Sequence, residues 1–303
     1  MNRNVPHSEA TSVAVNGIEL VYDTFGQSSA PPILLIMGLG CQMIEWEDEF
    51  CKQIAARGLF VIRFDNRDVG LSTRFDNAGI PDIKALIKSS EREEKLQVPY
   101  KLQDMAVDSV RLLDALGIVS AHIVGLSMGG GIAQIMAINH PQYVRTLTSI
   151  MYTTDDPSLP KPNPEIIELM KQIVVVSSDR ETFIADHIAS LRICNGSVLP
   201  FEEARARKLG MLLFDRGTSP QGNIRHYAAI LASRNRKDQL KSINIPTLVI
   251  HGEVDPIVSV ECGIDTADTI PNAKLVIIDG MGHDLPEIKW EEVIDAITTH
   301  AMQ

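Results

Sequence analysis

The stretch Gly125-Leu126-Ser127-Met128-Gly129 places a serine between two glycines in a G-x-S-x-G pattern. It follows the apolar run Ala121-His122-Ile123-Val124, which reads as a buried strand. It opens into Gly130-Gly131-Ile132-Ala133-Gln134-Ile135-Met136-Ala137, which reads as a helix closing near Pro141. A serine at the apex of such a strand–turn–helix is a candidate nucleophile, because the turn lifts its hydroxyl clear of the sheet. The turn strains the serine backbone and crowds the residues two before and two after. Glycine at both positions removes the Cβ atoms that would clash. The helix N-terminus beneath the hydroxyl carries partial positive charge and free N–H groups, which suit a developing oxyanion.

A serine hydroxyl is a poor nucleophile at neutral pH. It needs a base, and the base needs an orienting acid. Two later stretches carry such residues directly after apolar runs. His251-Gly252-Glu253-Val254-Asp255 follows 247–250, and Asp279-Gly280-Met281-Gly282-His283 follows 274–278. Chain order is then Ser, Asp, His. Asp255, Glu253 and Asp279 all compete for the acid. His283 competes for the base with His251, His122, His140, His187 and His226. His122 lies inside the elbow strand and reads as packed. His140 precedes Pro141 at a helix end, and His251 reads as a brace of the acid loop. His283 occupies a loop after the last strand, where a base can move.

The elements that must position these residues alternate. Residues 13–15 and 18–22 flank Asn16-Gly17 and predict a hairpin. Strands are expected at 33–37, 59–64, 121–124, 144–151, 247–250 and 274–278. Helices are expected at 47–57, 102–116, 130–137, 260–269 and 288–301. Residues 73–99 are irregular, with the charged run Glu91-Arg92-Glu93-Glu94-Lys95 reading as a solvated face. Alternation stops between 153 and 237, where helical patterns at 164–176, 180–193, 200–214 and 221–233 predict an insertion. Leu169, Ile173, Met211, Leu212 and Phe214 are its candidate pocket-lining residues. Repeated β-then-α units imply a parallel sheet with helices on both faces, and ligands in such sheets sit at the carboxyl ends of the strands.

Composition bounds the function classes. The 303 residues are 45% hydrophobic and 22% charged, enough for a sizeable core, and suggest two domains or one large one. A net charge of −11 argues against nucleic acid or anionic membrane as the main partner. Cys41, Cys51, Cys194 and Cys262 form no metal-spaced cluster and read as free thiols, and a serine nucleophile with a histidine base needs neither metal nor organic cofactor. Residues 1–10 lack an apolar core, and no apolar run is long enough to span a bilayer. The expected partner is a small molecule, the expected assembly a monomer or homodimer, and the expected compartment the cytoplasm.

The elbow, the Asp loop, the His loop and the β/α order together resemble α/β-hydrolase-fold serine hydrolases with a helical cap, over nearly the whole chain. Met37-Gly38-Leu39-Gly40 with Asp65-Asn66-Arg67-Asp68-Val69-Gly70-Leu71-Ser72 is similar to bacterial carboxylesterases of this fold and to their aclacinomycin methylesterase-like branch. The resemblance implies a mostly parallel sheet, a core domain from 1–152 and 238–303, and a cap from 153–237. It implies Ser127 as nucleophile, His283 as general base and Asp255 as orienting carboxylate, since the family's H-G-x-x-D pattern ends on Asp255. The oxyanion donors would be the N–H groups of Met128 and Leu39. Relatives usually carry His-Gly where this chain has Met37-Gly38, so the bracing of that loop must differ. Asp65 and Arg67 read as loop braces. The expected activity is hydrolysis of short- to medium-chain carboxylic esters. C–C bond hydrolases, lactonases and peptidases of the same fold share the triad. A non-catalytic ligand-binding protein of this fold is the alternative from another class.

Overall fold

Asn16 and Gly17 take left-handed backbone conformations (φ 48° and 77°) and turn β1 (Thr11–Val15) antiparallel onto β2 (Ile18–Phe25). This is the two-residue hairpin expected from Asn-Gly. The computed structural model describes residues 5–92, 94–161, 165–166, 179–233 and 235–303. Strand β2 runs past the apolar stretch because it gains a second partner. It pairs antiparallel with β4 (Phe60–Phe64), Tyr22 opposite Phe64 and Phe25 opposite Val61. The remaining strands are β3 (Pro32–Ile36), β5 (Ala121–Leu126), β6 (Val144–Ile150), β7 (Thr247–Gly252) and β8 (Lys274–Ile278). All eight form one sheet in the order β1-β2-β4-β3-β5-β6-β7-β8. From β4 to β8 every neighbouring pair is parallel.

Strand β3 shows why its sequence is continuously apolar. Successive side chains point to opposite faces, and helices cover both. Leu34 and Ile36 join Leu102, Met105, Leu113 and Ile132 on one side. Those residues come from α3 (Leu102–Ala115) and α4 (Met128–Asn139). Ile33 and Leu35 join Phe50, Ile54, Val293 and Ile297 on the other. These come from α1 (Asp48–Ala56) and from the helix Trp290–Ala301. The irregular stretch contains one helix, α2 (Ile83–Glu91), started by Asp82, whose carboxylate accepts from the Ala85 N–H at 3.0 Å. Ile83, Leu86 and Ile87 recur along it at helical spacing, and all three are half-buried. Glu93 of the charged run lies outside the described residues.

Between β6 and β7 the described elements are helical: α5 (Arg180–Asn195), α6 (Glu203–Arg216), α7 (Pro220–Leu231) and α8 (Lys237–Leu240). The helix expected at 164–176 lies outside the described residues, except 165 and 166, which are helical. Ile184 and Ile188 of α5 pack with Ala206 of α6 into a small apolar cluster separate from the two on the faces of the sheet. Arg205 ties α6 to the rest of the fold, donating to Glu47 at 2.6 Å and to the Leu285 carbonyl at 2.9 Å. After β7 come α9 (Val260–Thr269), then β8, then α10 (Trp290–Ala301), close to the bounds read from periodicity.

Candidate active site

Strand β5 ends at Leu126 and α4 begins at Met128, so Ser127 alone makes the turn. The helix starts two residues earlier than its apolar pattern suggests. Ser127 adopts φ 53° and ψ −123°, a conformation that L residues rarely hold. The surrounding backbone fixes it there. Its N–H donates to the Ile150 carbonyl at 2.8 Å, and its own carbonyl accepts from the Gly130 N–H at 2.7 Å. A Cβ on Gly125 would strike the Gly129 carbonyl, and one on Gly129 would strike the Ile36 carbonyl. Both glycines are therefore needed for β5, α4 and β3 to approach this closely.

His283 lies in the loop after β8. Its Nε2 is 3.0 Å from the Ser127 hydroxyl oxygen and its Nδ1 is 2.6 Å from Asp255 Oδ2. A carboxylate only accepts, so Nδ1 carries the proton and the Nε2 lone pair faces the serine. The His283 N–H donates to the Cys194 carbonyl of α5 at 2.7 Å, which anchors the loop to the inserted segment. Asp255, in the loop after β7, spends its other oxygen on the N–H groups of Ile257 and Val258, each at 2.8 Å. Burial works to raise the pKa of Asp255. The His283 charge, hydrogen bonds from His251 and His283 and the Val258 N–H outweigh it and hold the carboxyl well below the usual range.

The competitors are occupied elsewhere. Glu253 accepts from the Gly280 N–H at 3.1 Å, and Asp279 is exposed. His251 donates to the Val258 carbonyl at 2.8 Å and stands 3.4 Å from Asp255, within the acid loop. His122 meets Thr146 at 3.0 Å inside the sheet, and His187 stacks beside Phe183 on α5. His140 closes α4. Among the described residues, His283 is the histidine that reaches Ser127.

The Met128 N–H is the first of α4 and has no carbonyl a turn behind it. The loop after β3 runs close by: a Cβ on Gly38 would lie 3.4 Å from the Ser127 Cβ. Leu39 follows, and among the described residues nothing accepts from its N–H. Asn66 donates to the Met37 carbonyl at 3.0 Å. Its neighbours brace the loop after β4. Asp65 accepts from the Met43 N–H at 2.8 Å, and Arg67 forks onto Asp108 at 2.6 and 2.7 Å. Of the candidate lining residues, Leu169 and Ile173 lie outside the described residues. Met211 and Leu212 are exposed, because the buried stripe of α6 is Ala206, Leu209, Gly210 and Leu213. Phe214 packs on Phe183 at 5.5 Å between ring centres. All four cysteines are free thiols. Among the described residues, no group of His, Cys, Asp and Glu side chains is arranged to hold a metal ion, and no helix is long and apolar enough to cross a membrane.

The sequence model of the alpha/beta hydrolase fold matches residues 31–289, spanning every strand from β3 onward. The chain belongs to this family. Within it, the chain is 29% identical over 300 residues to the rhodomycin D methylesterase DauP of Streptomyces sp. (strain C5), covering 93% of this chain and 95% of that one. It is 33% identical over 190 residues to the 2-hydroxymuconate semialdehyde hydrolase of Pseudomonas sp. (strain CF600), 60% of this chain and 62% of that one. Among solved structures of hydrolase-fold proteins, the enol-lactonase from Burkholderia xenovorans LB400 superposes with a TM-score of 0.74 at 21% identity. That match covers 97% of this chain and 100% of that one, and it speaks to the fold alone.

Proposed function

We propose that this chain is a serine hydrolase that cleaves carboxylic esters through an acyl-enzyme. One observation carries the reading: a serine in a strained turn lies 3.0 Å from a histidine that is itself 2.6 Å from a buried carboxylate. Ser127 attacks the ester carbonyl as His283 takes its proton. Asp255 keeps the imidazole in the tautomer that faces the serine and offsets the charge it gains. The N–H groups of Met128 and Leu39 receive the oxyanion. His283 then protonates the leaving alkoxide. Water, deprotonated by the same histidine, attacks the acyl-enzyme, and the acid and Ser127 are released.

Small alkyl esters, methyl esters among them, are the proposed substrates, on the strength of the likeness to a methylesterase across nearly the full length of both chains. Short- to medium-chain acyl groups fit the same reading. Segment 153–237 acts as a cap over the strand ends, since α5 and α6 touch the His283 loop through the Cys194 carbonyl and Arg205. The partner is the small molecule itself, handled without a cofactor in the cytoplasm.

The likeness to 2-hydroxymuconate semialdehyde hydrolases favours a second reading, C–C bond hydrolysis by the same three residues. Hydrolysis of p-nitrophenyl esters from acetate to palmitate, with Ser127→Ala alongside, separates the two. Turnover on short chains that disappears in the variant supports the esterase. Labelling of Ser127 by a fluorophosphonate without ester turnover moves the reading to the C–C hydrolases. Neither turnover nor labelling leaves a ligand-binding protein.

A further inference from the structure

The loop after β3 that presents Leu39 has main-chain groups held from two other parts of the chain. The geometry points to His226 of α7, a helix of the inserted segment, as the residue that positions the Leu39 oxyanion donor.

Three successive peptide units of the loop are held in different ways. The first, Met37–Gly38, is anchored at its carbonyl by Asn66 Nδ2 at 3.0 Å. The second, Gly38–Leu39, carries the donor. Its carbonyl accepts from the Cys41 N–H at 3.3 Å, and a trans peptide then points the Leu39 N–H the opposite way. The third, Leu39–Gly40, is anchored at its N–H, which donates to His226 Nδ1 at 3.1 Å. The donor peptide is thus clamped between two fixed neighbours, one held from the loop after β4 and the other from α7.

His226 suits this task. Its Nε2–H donates to the Arg67 carbonyl at 2.7 Å, so Nδ1 is left as the acceptor that Gly40 requires. The side chain is fully buried. Burial lowers its pKa to about 4 even though the Arg67 carbonyl and the Asp68 charge work to raise it, so the ring is uncharged at neutral pH. A second residue of α7 reinforces the fit. Gly40 has φ +70°, and a Cβ there would lie 2.5 Å from Asn223 Oδ1. One helix therefore fixes both the direction of the Gly40 N–H and the space available to its backbone. The contact that fixes the Gly40 N–H comes from 186 positions away in the chain.

The inference rests on the reading of Leu39 as an oxyanion donor, and two variants with two readouts keep the two claims apart. In His226→Asn the amide oxygen falls near the place of Nδ1 and keeps an acceptor for Gly40. In His226→Gln the amide reaches the place of Nε2 and keeps only the bond to Arg67. On p-nitrophenyl acetate, His226→Gln is expected to lower kcat by about 10-fold or more with KM changed by less than about threefold. Affinity for a trifluoromethyl ketone should fall by the same factor as kcat/KM, and His226→Asn should recover most of the loss. Equal loss in both variants, no loss in either, or a loss confined to KM overturns the assignment. The second readout is hydrogen exchange of the Gly40 amide in the free protein, expected to be faster in His226→Gln than in His226→Asn. Unchanged exchange across the variants overturns the brace. If His226→Gln fails to fold, the wild-type protein decides: a protected Gly40 amide supports the brace and an unprotected one overturns it. Wild-type turnover that does not depend on Ser127 overturns the hydrolase reading and leaves the exchange result to judge the brace.

Discussion

Asp255 and His283 stand 2.6 Å apart, closer than His283 and Ser127 at 3.0 Å, so the acid–base contact is the tighter half of the constellation. Asp255 also has both oxygens engaged, one by His283 and the other by two backbone N–H groups. Asp255→Asn keeps an oxygen for Ile257 and Val258 but turns an N–H toward Nδ1. His283 must then accept at Nδ1, which puts its proton on Nε2 and facing Ser127. We expect kcat to fall by about 10³–10⁴-fold with little change in folding. Steady-state rates and thermal melts check this. A variant within about tenfold of wild type would assign the acid elsewhere, Glu253 first.

Gly129→Ala tests the turn itself. The added Cβ would meet the Ile36 carbonyl, which belongs to a strand paired on both sides and cannot retreat. The N-terminus of α4 must shift instead and carry the Met128 N–H with it. Loss of one oxyanion donor typically costs about 10²–10³-fold in kcat, and that is the expected range. The rate of Ser127 labelling by a fluorophosphonate should fall in step. Normal labelling with unchanged turnover would mean that the elbow tolerates the methyl group and that its tight packing has no part in the rate.

Ser127, Asp255 and His283 are legible in the sequence because each follows an apolar strand run directly, and parallel strands deliver their ends to one edge of the sheet. Leu39 enters the sequence reading only through the family resemblance. Asn66 and His226 are not legible, because each acts through a main-chain group, and a backbone N–H or carbonyl leaves no residue type to match. His226 enters a reading of the sequence only as a competitor for the base. The α2 helix is missed for a different reason: its stripe of Ile83, Leu86 and Ile87 spans little more than one turn inside a stretch of irregular composition. Met211 and Leu212 mislead in the other direction, since apolar side chains also occur on exposed helix faces.

Glu45 links the oxyanion-side loop to pH. Its carboxylate accepts from the Gln42 N–H at 2.7 Å. Burial pushes its pKa up to about 7, against the Gln42 N–H and the Cys41 hydrogen bond and with help from the Asp65 and Glu47 charges. Between the ordinary value of 4.5 and about 7, the folded protein holds a proton that the unfolded chain has released. Stability therefore falls as pH rises through that window. Glu45→Gln has no such proton to lose. Its stability relative to wild type should improve by up to about 3 kcal/mol from acid to mildly alkaline pH. Urea midpoints at the two ends of the window measure the change. A parallel offset at both would show that Glu45 does not titrate there.

Asp68 and Arg225 fasten α7 to the loop after β4. The guanidinium forks onto the carboxylate at 2.8 and 2.7 Å, and both side chains are fully buried. The Tyr100 hydroxyl at 2.6 Å and the Phe75 N–H at 2.8 Å complete the cage. Burial works to raise the pKa of Asp68, but these partners, Arg225 first, hold it below the ordinary value. Removing one member of a buried pair leaves a charge without its counterion, so Arg225→Met should cost about 3–5 kcal/mol. Asp68→Asn in that background should return part of the loss, since Asn tolerates the left-handed φ of 70° at this position. The stabilisation from Asp68 is present above the unfolded value of about 3.9 and is lost as pH falls through the lower folded value, so the gap between wild type and Arg225→Met should narrow in acid. A double-mutant cycle at neutral and acid pH measures both effects. Coupling near zero at neutral pH would mean that the Asp68–Arg225 pair adds nothing net to holding α7. Arg225 adjoins His226, so strong coupling would make this pair the foundation on which the Gly40 contact stands.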